Sequence, residues 1–510
     1  MCQCAGASLL QVGGVGAVCW TDGRPSISIP DVRGVVAAGN PHTAEAAAAI
    51  LRDGGNAVDA LVAGALASFV AEPLLASAGG AGMMTVALPD EPAQVVDFFS
   101  AMPGLERPAA APPMDFAGID IDFGAATQTF HVGRASAAPP LALSGLAAAA
   151  ERFGTLPLTE LVAPAVALAR RGAALTDEAA EVFRLLWPIN LLDEETWSAY
   201  SDTDRSPRPG SRKPMPGMAD LLEAFAAHGD APPEFQAAVL EHFGPAAGGA
   251  ITRTDLERAK PVFVEPRALE VGDWKVLASP RLGGKLLGVI AGTLAGAAVE
   301  RREADEVARF AEACRAGTRA KGDERALGST THLSVIDPWG GAAATTLTNG
   351  EGCGYCIPGT QVQMNNFCGE EDLHPEGFFV HAPGTALPSM IAPTIVRGPG
   401  DSVLALGSGG ANRIRSVVSQ VLYRACVLGQ PLDEAVRAPR VHAEETSVWL
   451  EMEDRHDTPG IIEALQARFE HVYSFPTRAF FFGGVHAVLA RGGEVIGAGD
   501  PRRGGAVVHT

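Results

Sequence analysis

Two periods of apolar residues alternate along this 510-residue chain, and the points where one gives way to the other mark its elements. Residues 43–51 (TAEAAAAIL) follow Asn40-Pro41-His42, a helix-start signal, and stop at Asp53-Gly54-Gly55; a second helix is expected from 57 to about 70. The glycine-rich stretch 77–82 (SAGGAG) leads into a strand-like run at 83–88, and alternation resumes at 95–99. A P-loop would need a following Gly-Lys-Ser/Thr and a dinucleotide site a helix after its glycines, so SAGGAG reads as close backbone packing. Residues 140–190 and 218–245 have helical period and composition, whereas 198–217 is polar and proline-rich, a surface loop or linker. A capped turn at 252–256, strands over 262–278, a helix from Gly283-Gly284 to about 297 and a charged helical stretch at 300–325 follow. At 330 the character changes. Two strands, 330–336 and 342–347, are joined by a turn at Asp337-Pro338-Trp339-Gly340, and short strands around Ile395, Leu404, Trp449 and Val485 alternate with helices to the end.

Composition narrows the function classes. With 39 Lys+Arg against 59 Asp+Glu the formal charge is 39 − 59 = −20, which argues against a nucleic-acid partner. Hydrophobic residues at 47% and charged residues at 19% supply a large core and too little charge for a disordered chain. Aromatics are only 6%, so Ala, Leu and Val must build most of that core. The N-terminal stretch lacks a basic region before its apolar residues, and no window reaches the roughly 18 uninterrupted apolar residues of a spanning helix. A cytoplasmic protein without a membrane partner is expected. The eight Cys are not laid out as a disulfide framework. Cys353-Gly-Tyr-Cys356 is a lone CxxC without a second pair or matching His residues, so neither a metal nor another cofactor is expected.

Thr330 stands where a small-residue stretch, Ala326 to Ser329, abuts the start of a strand. If the Ser329–Thr330 bond were cut, the new α-amine, with a pKa near 8, could serve as general base for the hydroxyl of the same residue. Spacing alone leaves the alternative of an exposed threonine at a strand start.

The ordered motifs change that balance. Asn40-Pro-His, Gly54-Gly-Asn-Ala-Val-Asp-Ala60, Ala71-Glu72-Pro73 with Gly79-Gly-Ala-Gly82, and Phe153-Gly-Thr-Leu-Pro157 are followed by Thr330-Thr-His-Leu-Ser-Val335 and Asn365-Asn366. Pro393-Thr-Ile-Val396, Gly407-Ser-Gly-Gly410, Ala438-Pro-Arg-Val-His442 and Asp500-Pro-Arg-Arg503 complete the series. Over nearly its whole length the chain resembles the γ-glutamyltranspeptidases, N-terminal-nucleophile hydrolases that cut themselves before a Thr. The resemblance implies an α/β fold, a four-layer αββα sandwich, made of a large subunit 1–329 and a small subunit 330–510 that together form one structural domain. It also implies cleavage between Ser329 and Thr330, with the subunits as each other's partners, and leaves a higher homo-oligomer open.

Carried over by motif, Thr330 becomes the nucleophile and Thr348 the threonine that hydrogen-bonds it. Gly410 and Ala411 become the residues whose backbone N–H groups form the oxyanion hole. His332 and His442 belong to family motifs but are taken as structural; Arg413 and Arg440 are candidates for a carboxylate contact, with a structural role the favoured reading. The departures bear on substrate. Phe99 stands where the family's arginine clamps the glutamyl carboxylate, and an aromatic ring cannot pair a carboxylate. Phe367 replaces a polar residue of the amine-binding side, Glu370 can replace its aspartate, Ser389 remains of a double serine, and Asn349 is a counterpart of the family's asparagine. The implied activity is hydrolysis of a small non-glutamyl substrate at an amide or an activated C–C bond, in a pathway such as alkylproline-type antibiotic assembly. A conventional γ-glutamyl hydrolase and an unprocessed, non-catalytic homologue are the alternatives.

Overall fold

Asn40 caps the helix Pro41–Arg52 by accepting the His42 N–H at 2.9 Å, and Asn56 and Asp59 form a reciprocal capping box on the helix Ala57–Ala71. Every residue of Ala57–Ala71 is buried, and its sequence is apolar on all sides because it lies beneath other helices as well as on a sheet. In this computed structural model residues 18–21, 24–27, 34–122, 127–296, 302–321, 330–374 and 376–510 are described. Ser329 of the expected cleavage site, Cys2 and Cys4 lie outside them.

Two antiparallel sheets form the centre. The first has seven strands in the order Ala506–His509, Val35–Ala38, Thr330–Ile336, Ala342–Thr348, Ala81–Ala87, Gln94–Phe98 and Val262–Val264. The second has six, in the order Glu494–Ala498, Gly484–Arg491, Val403–Gly409, Thr394–Arg397, Trp274–Ala278 and Arg267–Val271.

Alternation along the strands assigns the layers. Val36, Ala38, Leu333, Val335, Ala343 and Leu347 point to the helices of the first sheet's outer face. Their neighbours Val35, Ala37, Ile336, Ala342 and Ala344 point inward and meet Ile395, Ala405 and Val488 of the second sheet. The second sheet's other face, with Val276, Val396, Leu404 and Leu406, is covered by the helices Leu282–Ala295 and Ile414–Leu422 through Leu287, Ala291, Val417 and Val421. The result is the four-layer αββα sandwich, with an additional helix, Glu303–Lys321, packed outside Leu282–Ala295 through Val307, Phe310 and Ala311 against Ile290 and Leu294.

Strand pairing passes through residue 330 itself. Thr330 pairs with Thr348 and Ile336 with Ala342 in one unbroken register, so the start of the first strand lies beside the end of the second. The turn between them is fixed by Asp337, whose carboxylate accepts the N–H groups of Trp339, Gly341 and Ala57. Among the described residues no helix is long and apolar enough to cross a membrane. Cys314, Cys353, Cys356 and Cys368 are buried free thiols, and burial pushes Cys353 and Cys368 up as well as Cys356, which reaches about 12.

Candidate active site

Thr330 is the first residue of its strand and points to the inner face, as His332 and Ser334 do, because side chains two apart share a face. Its Oγ1 donates to Thr348 Oγ1 at 3.4 Å, and Thr348 Oγ1 in turn accepts the Gly350 N–H at 3.1 Å. Both threonines are buried. Thr331 points the other way and donates to Glu72 at 2.6 Å; Thr43 holds the second oxygen of Glu72 at 2.7 Å. Burial raises the Glu72 carboxyl above the ordinary carboxylate range, against the two hydroxyl donors.

The opposite sheet delivers the backbone. Strand Val403–Gly409 ends directly over the nucleophile strand, where a Cβ at Gly409 would stand 2.1 Å from the Thr330 carbonyl oxygen. The chain then turns through Gly410 at φ +115° and Ala411 at φ +47° into the helix Ile414–Leu422. Left-handed backbone of this kind before a helix start leaves N–H groups outside the helical ladder.

Between these parts lies a small cleft of about 340 Å³, counted to its mouth. Six residues singled out by sequence line it: Phe99, Thr330, Thr348, Glu370, Ser389 and Ala411. Three are placed elsewhere. Phe367 is fully buried behind Phe99, ring centroids 5.0 Å apart. Asn349 is fully buried off the cleft, its amide nitrogen and oxygen without hydrogen-bond partners. Gly410 is not part of the side-chain wall; it is the turn residue at the edge of the cleft, directly before the lining residue Ala411. Sequence gave no sign of Leu373, Met390, Ile391 and Ile414, which make most of the wall apolar.

Charged groups cluster behind the walls. Arg281, which no motif marked, bonds Asp97 at 2.5 Å and the Leu387 carbonyl at 2.5 Å, with its guanidinium 5.6 Å from the centre of the Phe99 ring. Arg503 lies over Phe480 at 3.6 Å; its Nε and Nη1 are buried without hydrogen-bond partners, and burial pulls its pKa down to about 9. Arg440 is fully buried against Asp500 at 3.1 Å, and Arg413 donates to the Phe481 carbonyl at 2.9 Å and stacks on the Phe481 ring, so neither lines the cleft. His332 is held by Thr346 at 2.8 Å and Ser334 at 2.9 Å, and His442 by Ser416 at 2.8 Å and Glu444 at 3.0 Å, both inside the core. Burial lowers both imidazoles, His442 to about 4.

A hydroxyl at a strand start, a second hydroxyl beside it and a backbone turn across from it match the needs of acyl transfer: a nucleophile, an orienting group and donors for an oxyanion. Among the described residues no group of three His, Cys, Asp or Glu side chains is arranged to hold a metal.

Comparison with known proteins agrees with this geometry. The family model described as Gamma-glutamyltranspeptidase matches residues 43–326 and 315–510. The Acylase ACY 1 proenzyme of Pseudomonas sp. (strain V22) is 29% identical, over 93% of both chains. The Glutathione hydrolase proenzyme of Escherichia coli (strain K12) is 25% identical, over 92% of this chain and 90% of that one. Among solved structures, cephalosporin acylase from Bacillus halodurans superposes with a TM-score of 0.78 at 22% identity, covering 93% of this chain and 95% of the other, and so shares the fold.

Proposed function

Because the chain belongs to the gamma-glutamyltranspeptidase family and is a hydrolase of the N-terminal-nucleophile type, we propose that it is a self-processing threonine acylase whose acyl site takes a small apolar group rather than γ-glutamyl. The observation that carries this reading is Phe99 on the cleft wall beside Thr330, with Leu373, Met390, Ile391 and Ile414 completing an apolar lining. Glu370 is the one ionisable side chain among the residues that line the cleft, and none of those residues carries a positive charge to pair a glutamyl carboxylate. The proenzyme names of the two relatives support processing of the chain, and we place the cut before Thr330, giving subunits 1–329 and 330–510.

In this scheme Thr330 Oγ attacks the substrate carbonyl while the freed α-amine of the same residue takes its proton and passes it to the leaving group. The N–H groups of Gly410 and Ala411 stabilise the oxyanion, each worth about 3 kcal/mol when aligned. Water then attacks the acyl-threonine ester, and the acid and Thr330 hydroxyl are released. The same oxyanion geometry serves hydrolysis of a C–C bond next to a carbonyl, the step required in an alkylproline-type biosynthetic route. We place the enzyme in the cytoplasm.

A panel of p-nitroanilides tests the reading: short apolar acyl anilides should be cleaved with kcat/KM at least tenfold above the γ-glutamyl anilide. Robust γ-glutamyl turnover would overturn it and favour the conventional glutathione-type reading, which Glu370 on the lining supports as a site for an α-ammonium.

A further inference from the structure

Two segments far apart in sequence line the acyl cleft side by side, Phe99 and the run Ser389, Met390, Ile391, and they are joined on one flank, where the Leu387 N–H donates to the Ser100 carbonyl at 3.1 Å. Both are fastened to the start of one helix. Asp97 accepts the Phe99 N–H at 3.0 Å with one oxygen and Arg281 Nε at 2.5 Å with the other. Arg281 Nη1 donates to the Leu387 carbonyl, two residues before Ser389, and its guanidinium faces the Phe99 ring. Two residues further on, the Gly283 N–H donates to the Ser389 carbonyl at 2.8 Å. Arg281 is the N-cap residue of Leu282–Ala295, so the whole arrangement is anchored in the second sheet's helical cover.

Asp97 and Arg281 expose only 7% and 18% of their side chains, and the carboxylate already neutralises the guanidinium. Arg281 therefore does not replace the family's arginine as a carboxylate contact; it ties the walls together. We propose that Arg281 is a positioning residue that sets the acyl length the cleft accepts by fixing how the Phe99 ring and the Ser389 segment stand beyond the backbone pairing that joins their flanks. The inference rests on the acyl reading of the cleft. A lysine cannot reproduce it, because a single ammonium lacks the planar fork that engages Asp97 and the Leu387 carbonyl together while lying on the ring.

The test compares wild type, Arg281→Lys, and the double variant Arg281→Met with Asp97→Asn, which leaves no buried charge unpaired. Each is read by the kcat/KM profile over butyryl to decanoyl p-nitroanilides and by hydrogen exchange of peptides containing Phe99 and residues 387–391. The clamp predicts full self-cleavage, a preference for longer acyl groups that rises about tenfold and chiefly through KM, and faster exchange in both wall peptides alone. Unchanged acyl profile and unchanged exchange in both variants would overturn it. If wild type cleaves none of the anilides, the acyl reading falls, and exchange still decides the clamp: acceleration confined to the two wall peptides supports it, and wild-type exchange refutes it.

Discussion

Gly410→Ala is the substitution for which the structure sets the largest effect on chemistry for the smallest change in mass. Gly410 has φ +115°, outside the pocket of left-handed space that L-residues tolerate, so alanine carries a backbone strain of about 1–3 kcal/mol. Its Cβ would also stand 2.8 Å from Gly483 Cα and 3.3 Å from Gly483 N. Both are backbone atoms, so relief requires the turn to move by roughly half an ångström. A donor displaced that far loses most of the roughly 3 kcal/mol it gives an oxyanion, which corresponds to a fall in kcat of about 100- to 1000-fold with KM little changed. Gly429→Ala is the control: φ is +66° and nothing lies within 4 Å of the added carbon, so a loss of about 1 kcal/mol in stability and an unchanged kcat are expected. The assay is steady-state hydrolysis of an acyl p-nitroanilide, normalised to folded and processed protein by thermal melt and mass. A Gly410→Ala enzyme within threefold of wild-type kcat would refute the assignment of this turn as the oxyanion site.

Two further outcomes follow from the same geometry. Thr348→Val should lower kcat only about tenfold, because 3.4 Å is long for a hydroxyl–hydroxyl bond, with rates on the same substrate as the measure; an unchanged rate would remove Thr348 from the mechanism. His442 and His486 are buried neutral with pKa values pulled down to about 4, below the ordinary 6.5. Their folded pKa values are depressed, so the unfolded chain binds more protons between pH 6.5 and 4. Stability is therefore fully present above pH 6.5 and falls as pH drops through that window, by about 3 kcal/mol for each histidine near pH 4. Urea titrations at pH 7.5, 5.5 and 4.5 should show the decline, and His442→Gln should flatten part of it.

Legibility in the sequence followed the range of the interactions. Local signals held. Asn40 and Asn56 cap the helices expected behind them, and the alternating runs from 330 and 342 became strands within a residue of their expected ends. Motif position brought Phe99, Glu370 and Ser389 to one cleft, since a motif fixes which segment reaches the site. It does not fix which side of a loop faces in, and Phe367 and Asn349 accordingly ended in the core. Leu373, Met390, Ile391 and Ile414 could not be told from any other apolar residue of a core built mostly from such residues. Arg281 was invisible for a different reason: its partner Asp97 is 184 residues away, and no local pattern encodes that contact.

The most direct test of the account is intact mass, with a denaturing gel, of purified wild type beside Thr330→Ala. Self-processing at Thr330 gives two wild-type fragments, the smaller beginning at Thr330, and a single full-length Thr330→Ala chain without acylase activity. A full-length wild-type chain that hydrolyses the anilides, or a Thr330→Ala protein that is still cut at the same bond, would contradict it.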